Sequence, residues 1–535
     1  MTHYHTINKA YLLPLLIVAG GMFPPLTGCW DDSLIPKWYA TTIALVVCGV
    51  ICQWKAIREV SATEWLSCIA DAAAIGILFQ AGYTLIDQQI HFSHPSGGIT
   101  GTFDVPAGLA LTVCLLLPFI LWQRKNGQRK TLYSAALLTG ILLIALSQSR
   151  AGIVALCAEG VVLLLFCHTK RWAKMAIVLF VSIGVCLIVL HTKQDSSIGR
   201  AFIMEQTCNL IQEKPLAGHG FHGFSREYMT RQQHYFQEHP DSGAARLADE
   251  IKHPLNEFLQ AWVNYGVSGA LLLLLCILLP VIACPCHPLV WMNTGALFIF
   301  CALSYPLNYP IAWVFLVGGV AMAAHKWIPF DVRLATIGPV AILALGLLIA
   351  LPCDIMLSRA HNYTRRGGHS RAIATYGECK KLFGTFPFSW VYPFRCHQYL
   401  YNYTYELYSM GHLDEARQTA TECALYANGY NLQLLTGDIC QMQGDFETAI
   451  THYQNAAHMC PVRFAPLSGM LQTYRQTGDT VKADSIAQVI LNKPIKIPSS
   501  DIDEMKAEAK RVKSGFKGQR AKDEGLRSKV DALIR

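Results

Sequence analysis

Apolar runs of about 15 to 23 residues recur through the first two-thirds of the chain, near residues 8–24, 38–54, 66–84, 106–122, 132–148, 150–167, 173–191, 257–283, 290–305, 307–324 and 334–352. As helices, runs of this length match the hydrocarbon thickness of a bilayer, and a helix satisfies its own backbone hydrogen bonds where no water is present. The sequence therefore predicts an all-α fold: a polytopic membrane bundle of about 11 helices over residues 1–356, followed by a helical C-terminal region. The first run carries no convincing cleavage site and ten more follow it, so it reads as a retained span.

Charge placement orients these spans. The Lys/Arg-rich connections, Lys55–Arg58, Arg124–Lys130, Lys170–Lys174 and Lys326–Arg333, fall on alternate loops, which the positive-inside rule assigns to the cytoplasm. The remaining loops then face outward: Pro24–Lys37, Ile86–Val105, the tight link Ser147–Ala151, Thr192–His253 and Tyr305–Pro310. Eleven spans with the N-terminus inside leave the C-terminal region outside. The net charge of +8 does not indicate nucleic acid, because the basic residues sit in short loops between apolar runs and in the tail. Of the 19 cysteines, many lie inside apolar runs (Cys48, Cys52, Cys68, Cys114, Cys157, Cys186, Cys276), where a thiol is a small core group and not part of a disulfide framework. Asp71 and Glu159 also fall within spans; internal hydrogen bonding is expected for them ahead of a proton relay.

The polar excursion Thr192–His253, with seven Lys/Arg, eight Asp/Glu and five His, is unusually long for a loop between two spans and is where chemistry is expected. Behind it, His253 and Asn256 stand where the chain re-enters the bilayer, and Gly266 and Gly269 lie deeper, at a spacing suited to close packing of a second helix. Arg150 sits between two spans so closely spaced that its guanidinium must lie at the outer membrane edge, where it needs an anionic partner or a lipid phosphate. Arg200 opens an amphipathic stretch of the long loop; alone it would be read as a surface charge. Two outward arginines suit a pyrophosphate, whose oxygens the guanidinium fork pairs bidentately. The histidines do not make a metal site: His219 and His222 stand at i, i+3 without a third ligand at a recognised spacing.

After about Leu357 the composition becomes that of a soluble domain with an internal repeat. Gly411, Gly444 and Gly478 recur at intervals of 33 and 34, as do Ala416, Ala449 and Ala483, the period of tetratricopeptide repeats with Gly at the turn and Ala where helices touch. An irregular earlier unit is expected around Ala372. Residues 357–500 are thus predicted to form a solenoid with a concave face for a protein partner, and 501–535 a charged, solvated helix or frayed tail. The cysteines of the repeats (Cys379, Cys396, Cys423, Cys440, Cys460) are explained by burial between helices.

Four segments, taken in order, resemble the O-antigen ligase superfamily, which includes O-antigen ligases, polymerases of the same fold and protein O-oligosaccharyltransferases. GTFDVPAGLA (Gly101–Ala110) is similar to the family's Gly-x-Phe-x-Asn-Pro loop, with Val105 in place of Asn. SQSRAG (147–152) resembles its Ser-Arg-Gly/Ala element, and Gly199–Phe224 the start of its periplasmic loop, an Arg followed by Pro-Leu-x-Gly-x-Gly. Asn256, Gly266 and Gly269 fit His-Asn-x9-Gly-x-x-Gly, except that Leu255 stands where most ligases carry His; His253 matches the first histidine of a His-x-His-Asn variant.

The resemblance implies a bacterial inner-membrane glycosyltransferase open to the periplasm, with residues 192–255 as its large periplasmic loop. The implied donor is a glycan on undecaprenyl pyrophosphate and the acceptor a hydroxyl of a glycan or protein. Arg150, Arg200 and His253 are the implied catalytic residues, and Asn256, Ser149, Gly218 and Gly220 the substrate-binding ones. No metal and no cofactor are called for, since the outer loops lack an Asp-x-Asp motif; the arginines would stabilise the leaving pyrophosphate. Besides donor and acceptor, the expected partners are membrane lipid and a protein bound by the repeats, with no nucleic acid. A scaffold that merely presents the repeats would not need the two arginines, and a transporter would need broken helices and an inverted repeat, which the sequence does not display.

Overall fold

Helix α4 (Pro106–Asn126) carries apolar residues on every side, and Leu109, Leu111, Val113, Cys114, Leu116 and Leu117 are all buried, as expected of a helix without a polar face. The structure, a computed structural model, describes residues 2–53, 60–90, 98–126, 129–166, 194–328 and 331–514. Among them no strand occurs. Against α4 pack α3 (Ala62–Ile90), α5 (Lys130–Ser147) and α6 (Arg150–Phe166), while α1 (Thr2–Gly21) packs on α3 and on α2 (Leu34–Ile51). Helices α10 (Pro288–Leu303) and α11 (Pro310–Trp327) also contact α4, α9 (Glu257–Ala283) packs on those two, and α12 (Val332–Arg365) packs on α2. Among the described residues, six stretches are long and apolar enough to cross a bilayer: Leu34–Ile51, Ala62–Asp87, Pro106–Lys125, Lys130–Ser147, Glu257–Ala283 and Ile337–Arg365. Their outward leucines and isoleucines, among them Leu138, Leu142, Leu271, Leu272, Ile342 and Leu348, are exposed in a way only a lipid environment tolerates. The chain is a multi-pass membrane protein. The expected span 173–191 and the basic loops 55–58 and 170–174 lie outside the described residues.

Of the two intramembrane carboxylates, Asp71 is internally bonded, to the Tyr133 hydroxyl at 2.8 Å and the Arg129 guanidinium at 3.1 Å. Glu159 differs: it is buried, and neither carboxyl oxygen has a hydrogen-bond partner among the described residues, so the expected internal bond is not formed there. The Gly266/Gly269 expectation also needs correction. Gly266 adopts φ 70°, ψ −170° and breaks α9 in mid-membrane, a conformation for which glycine is suited because it lacks Cβ. The break folds the helix on itself, so that a Cβ on Gly269 would meet the Tyr265 side chain and the Ala261 carbonyl of the same helix and not a second one.

The chain divides into two compact units, Met1–Gln194 with Leu255–Tyr392, and Asp195–Pro254 with Pro393–Arg535. The second consists of α7 (Gln194–Glu213) and α8 (Gly223–Glu238) packed with α14 (Tyr392–Ser409), α15 (Leu413–Ala424), α16 (Tyr430–Met442), α17 (Phe446–Met459), α18 (Ala465–Gln476) and α19 (Thr480–Asn492). Gly411, Gly444 and Gly478 occupy the left-handed turns between successive helices, and Ala416, Ala449 and Ala483 are fully buried at the helix contacts. Residues 500–514 are helical; Ala509 is fully buried, and Arg475 pairs with Glu508 at 2.7 Å.

Polar side chains join 195–254 to the repeats. Gln232 Nε2 donates to the Met459 carbonyl at 2.6 Å and the Asp249 carbonyl at 3.1 Å, Gln233 bonds Asn455 at 2.8 Å, and Arg463 grips both oxygens of Asp249 at 2.8 and 3.1 Å. Gln232→Leu would leave two carbonyls without that donor, at roughly 1–3 kcal/mol for each that stays buried and unsatisfied. The full-length variant is expected to melt earlier and to become protease-sensitive in 195–254 and 393–514 together. Cleavage confined to one of the two segments would show that they do not fold as one body.

Candidate functional site

At one end of the membrane unit several connections are tied to one another. The Lys37 ammonium is fully buried there; it donates to the Thr102 carbonyl at 2.5 Å and the Ser33 carbonyl at 3.0 Å and lies 5.1 Å from the Phe103 ring centroid. Gln80 holds Thr102 from the other side, donating to its hydroxyl at 2.8 Å and accepting its N–H at 3.1 Å. Tyr309 donates to Asp104 at 2.6 Å, and its ring meets Phe103 edge-on. The Ile99 N–H donates to the Leu146 carbonyl at 3.2 Å, and Gly98 abuts the Ser147 carbonyl, leaving no room for a Cβ. Residues 98–99, just before the GTFDVP element, are thereby docked on the chain where the SQSRAG link begins.

Within that link, Ser147 Oγ donates to the Ile144 carbonyl at 2.7 Å and accepts the Ser149 N–H at 3.2 Å, while Gln148 turns the chain with φ 52°. Ser149 Oγ accepts the Gly152 N–H at 3.3 Å, the geometry of an N-cap. Arg150 is consequently the first residue of α6, half-buried, with its charge added to the positive end of the helix dipole. Asn256 is a cap too. Its Oδ1 accepts the Leu259 N–H at 3.0 Å and its Nδ2 donates to the Ala302 carbonyl at 3.0 Å, so the carboxamide ties α9 to the end of α10. Glu257 accepts the Leu307 N–H at 3.0 Å beside it. Leu255, just before the cap, has φ 56°, a left-handed conformation that costs a branched residue about 1–2 kcal/mol.

Arg200, Gly218, Gly220 and His253 belong to the other unit. Arg200 is half-buried on α7. Gly218 and Gly220 have φ 71° and 90°, and a Cβ on Gly220 would meet nothing, so backbone conformation explains that glycine. The turn they form splits the HGFH histidines: His219 bonds the Leu210 carbonyl at 3.0 Å, His222 the Pro393 carbonyl at 2.7 Å. Phe221 packs edge-on against Phe394, and His222 against Tyr426. Among the described residues no group of three or more His, Cys, Asp or Glu is arranged to hold a metal ion.

Residues 135–274 match a family model described as O-Antigen ligase.

The ligase match begins inside α5, ends inside α9 and contains Ser149, Arg150, Arg200, Gly218, Gly220, His253 and Asn256; GTFDVP lies before it. It supports a membrane glycosyltransferase of the ligase and polymerase kind. No curated protein matches the chain.

Two residues beside the ligase segments were not singled out from sequence. Lys37 read as the last residue of an outward loop, and nothing local signals that its ammonium turns inward. His397, in the first turns of α14, read as part of a repeat helix. Its ring keeps a solvent-exposed edge, yet crowding by the surrounding atoms, and then the charges of His222, Lys252, His253 and Arg395, push its pKa down to about 4. Burial and the nearby Arg226 also lower that of His222, against the hydrogen bond to Pro393. Cationic and imidazole groups from the ligase-type loop and from α14 thus share one neighbourhood. Because the His397 pKa is lowered, its imidazole stays neutral on acidification until pH approaches 4. Diethyl pyrocarbonate, which attacks neutral imidazole, is expected to label His397 undiminished at pH 5.5 relative to pH 7, read by peptide mass spectrometry; labelling lost by pH 6 would contradict the crowded cationic setting.

Proposed function

We propose that the protein transfers a glycan from undecaprenyl pyrophosphate to an acceptor hydroxyl at the periplasmic face of the bacterial inner membrane, without a metal and with inversion. The observation that carries this reading is Arg150, held at a capped helix start in a link whose first residues are docked on 98–99, inside the ligase match. In the reaction the acceptor oxygen attacks the anomeric carbon as the bond from that carbon to the pyrophosphate oxygen breaks. The electron pair leaves on undecaprenyl pyrophosphate, and His253 takes the hydroxyl proton. Arg150 and Arg200 stabilise the departing charge, the duty a divalent ion performs in other glycosyltransferases. The positive end of the α6 dipole adds to the Arg150 charge for an anion at this helix start.

Ser149 and Asn256 serve the substrate through the elements they cap, and Gly218 and Gly220 through the turn that shapes the loop. The helical repeats, of tetratricopeptide type, bind the acceptor or a partner protein and supply no nucleophile. Residues 357–500 are their expected extent, on the periplasmic side.

Arg150→Ala and Arg200→Ala are each expected to cost on the order of 2–4 kcal/mol of transition-state stabilisation in a transfer assay with purified lipid-linked donor. Arg150→Lys should recover little, because an ammonium lacks the bidentate fork. His253→Ala should abolish transfer with His253→Gln retaining part of it if the ring positions the hydroxyl. Near-normal transfer by Arg150→Ala would remove the basis of the proposal. The species that builds up in a deletion strain separates the acceptor classes: undecaprenyl-linked polymer for a ligase, single repeat units for a polymerase, unglycosylated protein for a protein glycosyltransferase.

A further inference from the structure

Helix α12, 34 residues long, outruns the bilayer and turns back through 364–368, where the Gly368 N–H donates to the Tyr363 carbonyl at 2.8 Å. Helix α13 (His369–Phe383) then descends antiparallel to it. Cys353, Leu357 and Ala360 on α12 are buried, as are Ala372, Tyr376, Cys379 and Phe383 on α13. At 1.5 Å per residue, α13 descends roughly 21 Å. The same drop along α12 from Tyr363 arrives near Ile349, which is also buried and belongs to the apolar part of the span Ile337–Arg365.

The membrane edge at this end has an independent marker. Asp354 is the first charged residue above the apolar run, and it is bonded to the Trp30 indole at 3.0 Å and the Tyr39 hydroxyl at 2.6 Å. The lower end of α13 therefore lies on the bilayer side of that marker. The chain leaves it through Gly384–Trp390, whose 3-10 turn Phe388–Trp390 (η1) packs on both α12 and α13. There the two largest apolar side chains point away from the protein: Phe386 is 74% exposed and Trp390 59%, their rings edge-to-face at 5.1 Å. Lys381 is exposed one turn above them.

We propose that residues 384–390 are a membrane-interface anchor, in which Phe386 and Trp390 insert into the headgroup and upper acyl region of the bilayer that α12 crosses, with Lys381 at the lipid phosphates. Phospholipid is the occupant the depth argument selects, since a protein partner at the level of Ile349 would have to displace lipid from the side of a membrane helix. Aromatic rings with an apolar body are the side chains that favour this zone, and a neighbouring lysine reaches the phosphate layer from it. The anchor holds the chain at the bilayer surface immediately before Pro393, where the second compact unit resumes. It rests on the reading of α12 as a membrane span and is independent of the transfer reaction.

The test uses the full-length protein in phospholipid nanodiscs with p-benzoylphenylalanine placed at Phe386, at Trp390 or, as a control about 18 Å higher on α13, at exposed Arg371. The replacements at 386 and 390 exchange one exposed aromatic for another and leave the fold intact, which monodisperse elution verifies. On illumination, phospholipid adducts detected by mass spectrometry are expected at positions 386 and 390 at tenfold or more above position 371. Adduct levels equal to the control, or crosslinks to protein in place of lipid, would overturn the proposal.

Discussion

A loop at the level of membrane helix ends has little water with which to satisfy its backbone, and here one buried ammonium, that of Lys37, binds the Thr102 carbonyl of the loop 98–105 together with the Ser33 carbonyl before its own helix. Its fixed charge among carbonyls and against the Phe103 ring holds the strand of chain that in turn receives the Ser147–Arg150 link. The other connections at that end follow the same rule: Asn256, Glu257, Gln80 and Tyr309 each bind a backbone or side-chain group of a different loop. Rigidity is the result. A guanidinium that must stabilise charge at the moment of bond breaking gains from a frame that does not reorganise, and Arg150 stands on such a frame.

The capping pattern also separates two kinds of motif residue. Ser149 and Asn256 spend their hydrogen-bonding groups on helix starts, and Gly218 and Gly220 supply left-handed backbone. Arg150, Arg200 and His253 are the residues to which the proposed transfer gives a chemical role. A motif conveys both kinds with the same letters, and coordinates are needed to tell the frame from the groups the frame presents.

Much of the bundle was legible because hydrophobic length is a local property: the runs at 106–122, 132–148 and 257–283 coincide with α4, α5 and α9 to within a few residues. The period of Gly411, Gly444 and Gly478 was legible for the same reason, since each glycine answers to its own turn. What escaped depends on partners distant in sequence. Lys37 meets Thr102, and Gln232 meets Met459. Gly266 escaped differently: helix-packing glycines and helix-breaking glycines look alike in an apolar run, and only its φ and ψ distinguish them. Phe386 and Trp390 carry no periodicity, and their depth emerges only from the α12–α13 hairpin.

The union of 195–254 with the repeats sets an order of events during biosynthesis. Gln232 and its acceptor at Met459 are 227 residues apart, and four helices of the membrane unit, α9 to α12, are made between them. At roughly 5–20 residues per second the earlier segment waits about 10–45 s for its partner. Over that interval Phe224 and Tyr228, which end up buried, have no completed core to enter. In a chain built this way the earlier segment stays unfinished while the membrane part is still being made, and its non-local contacts can close only once the last helices have emerged.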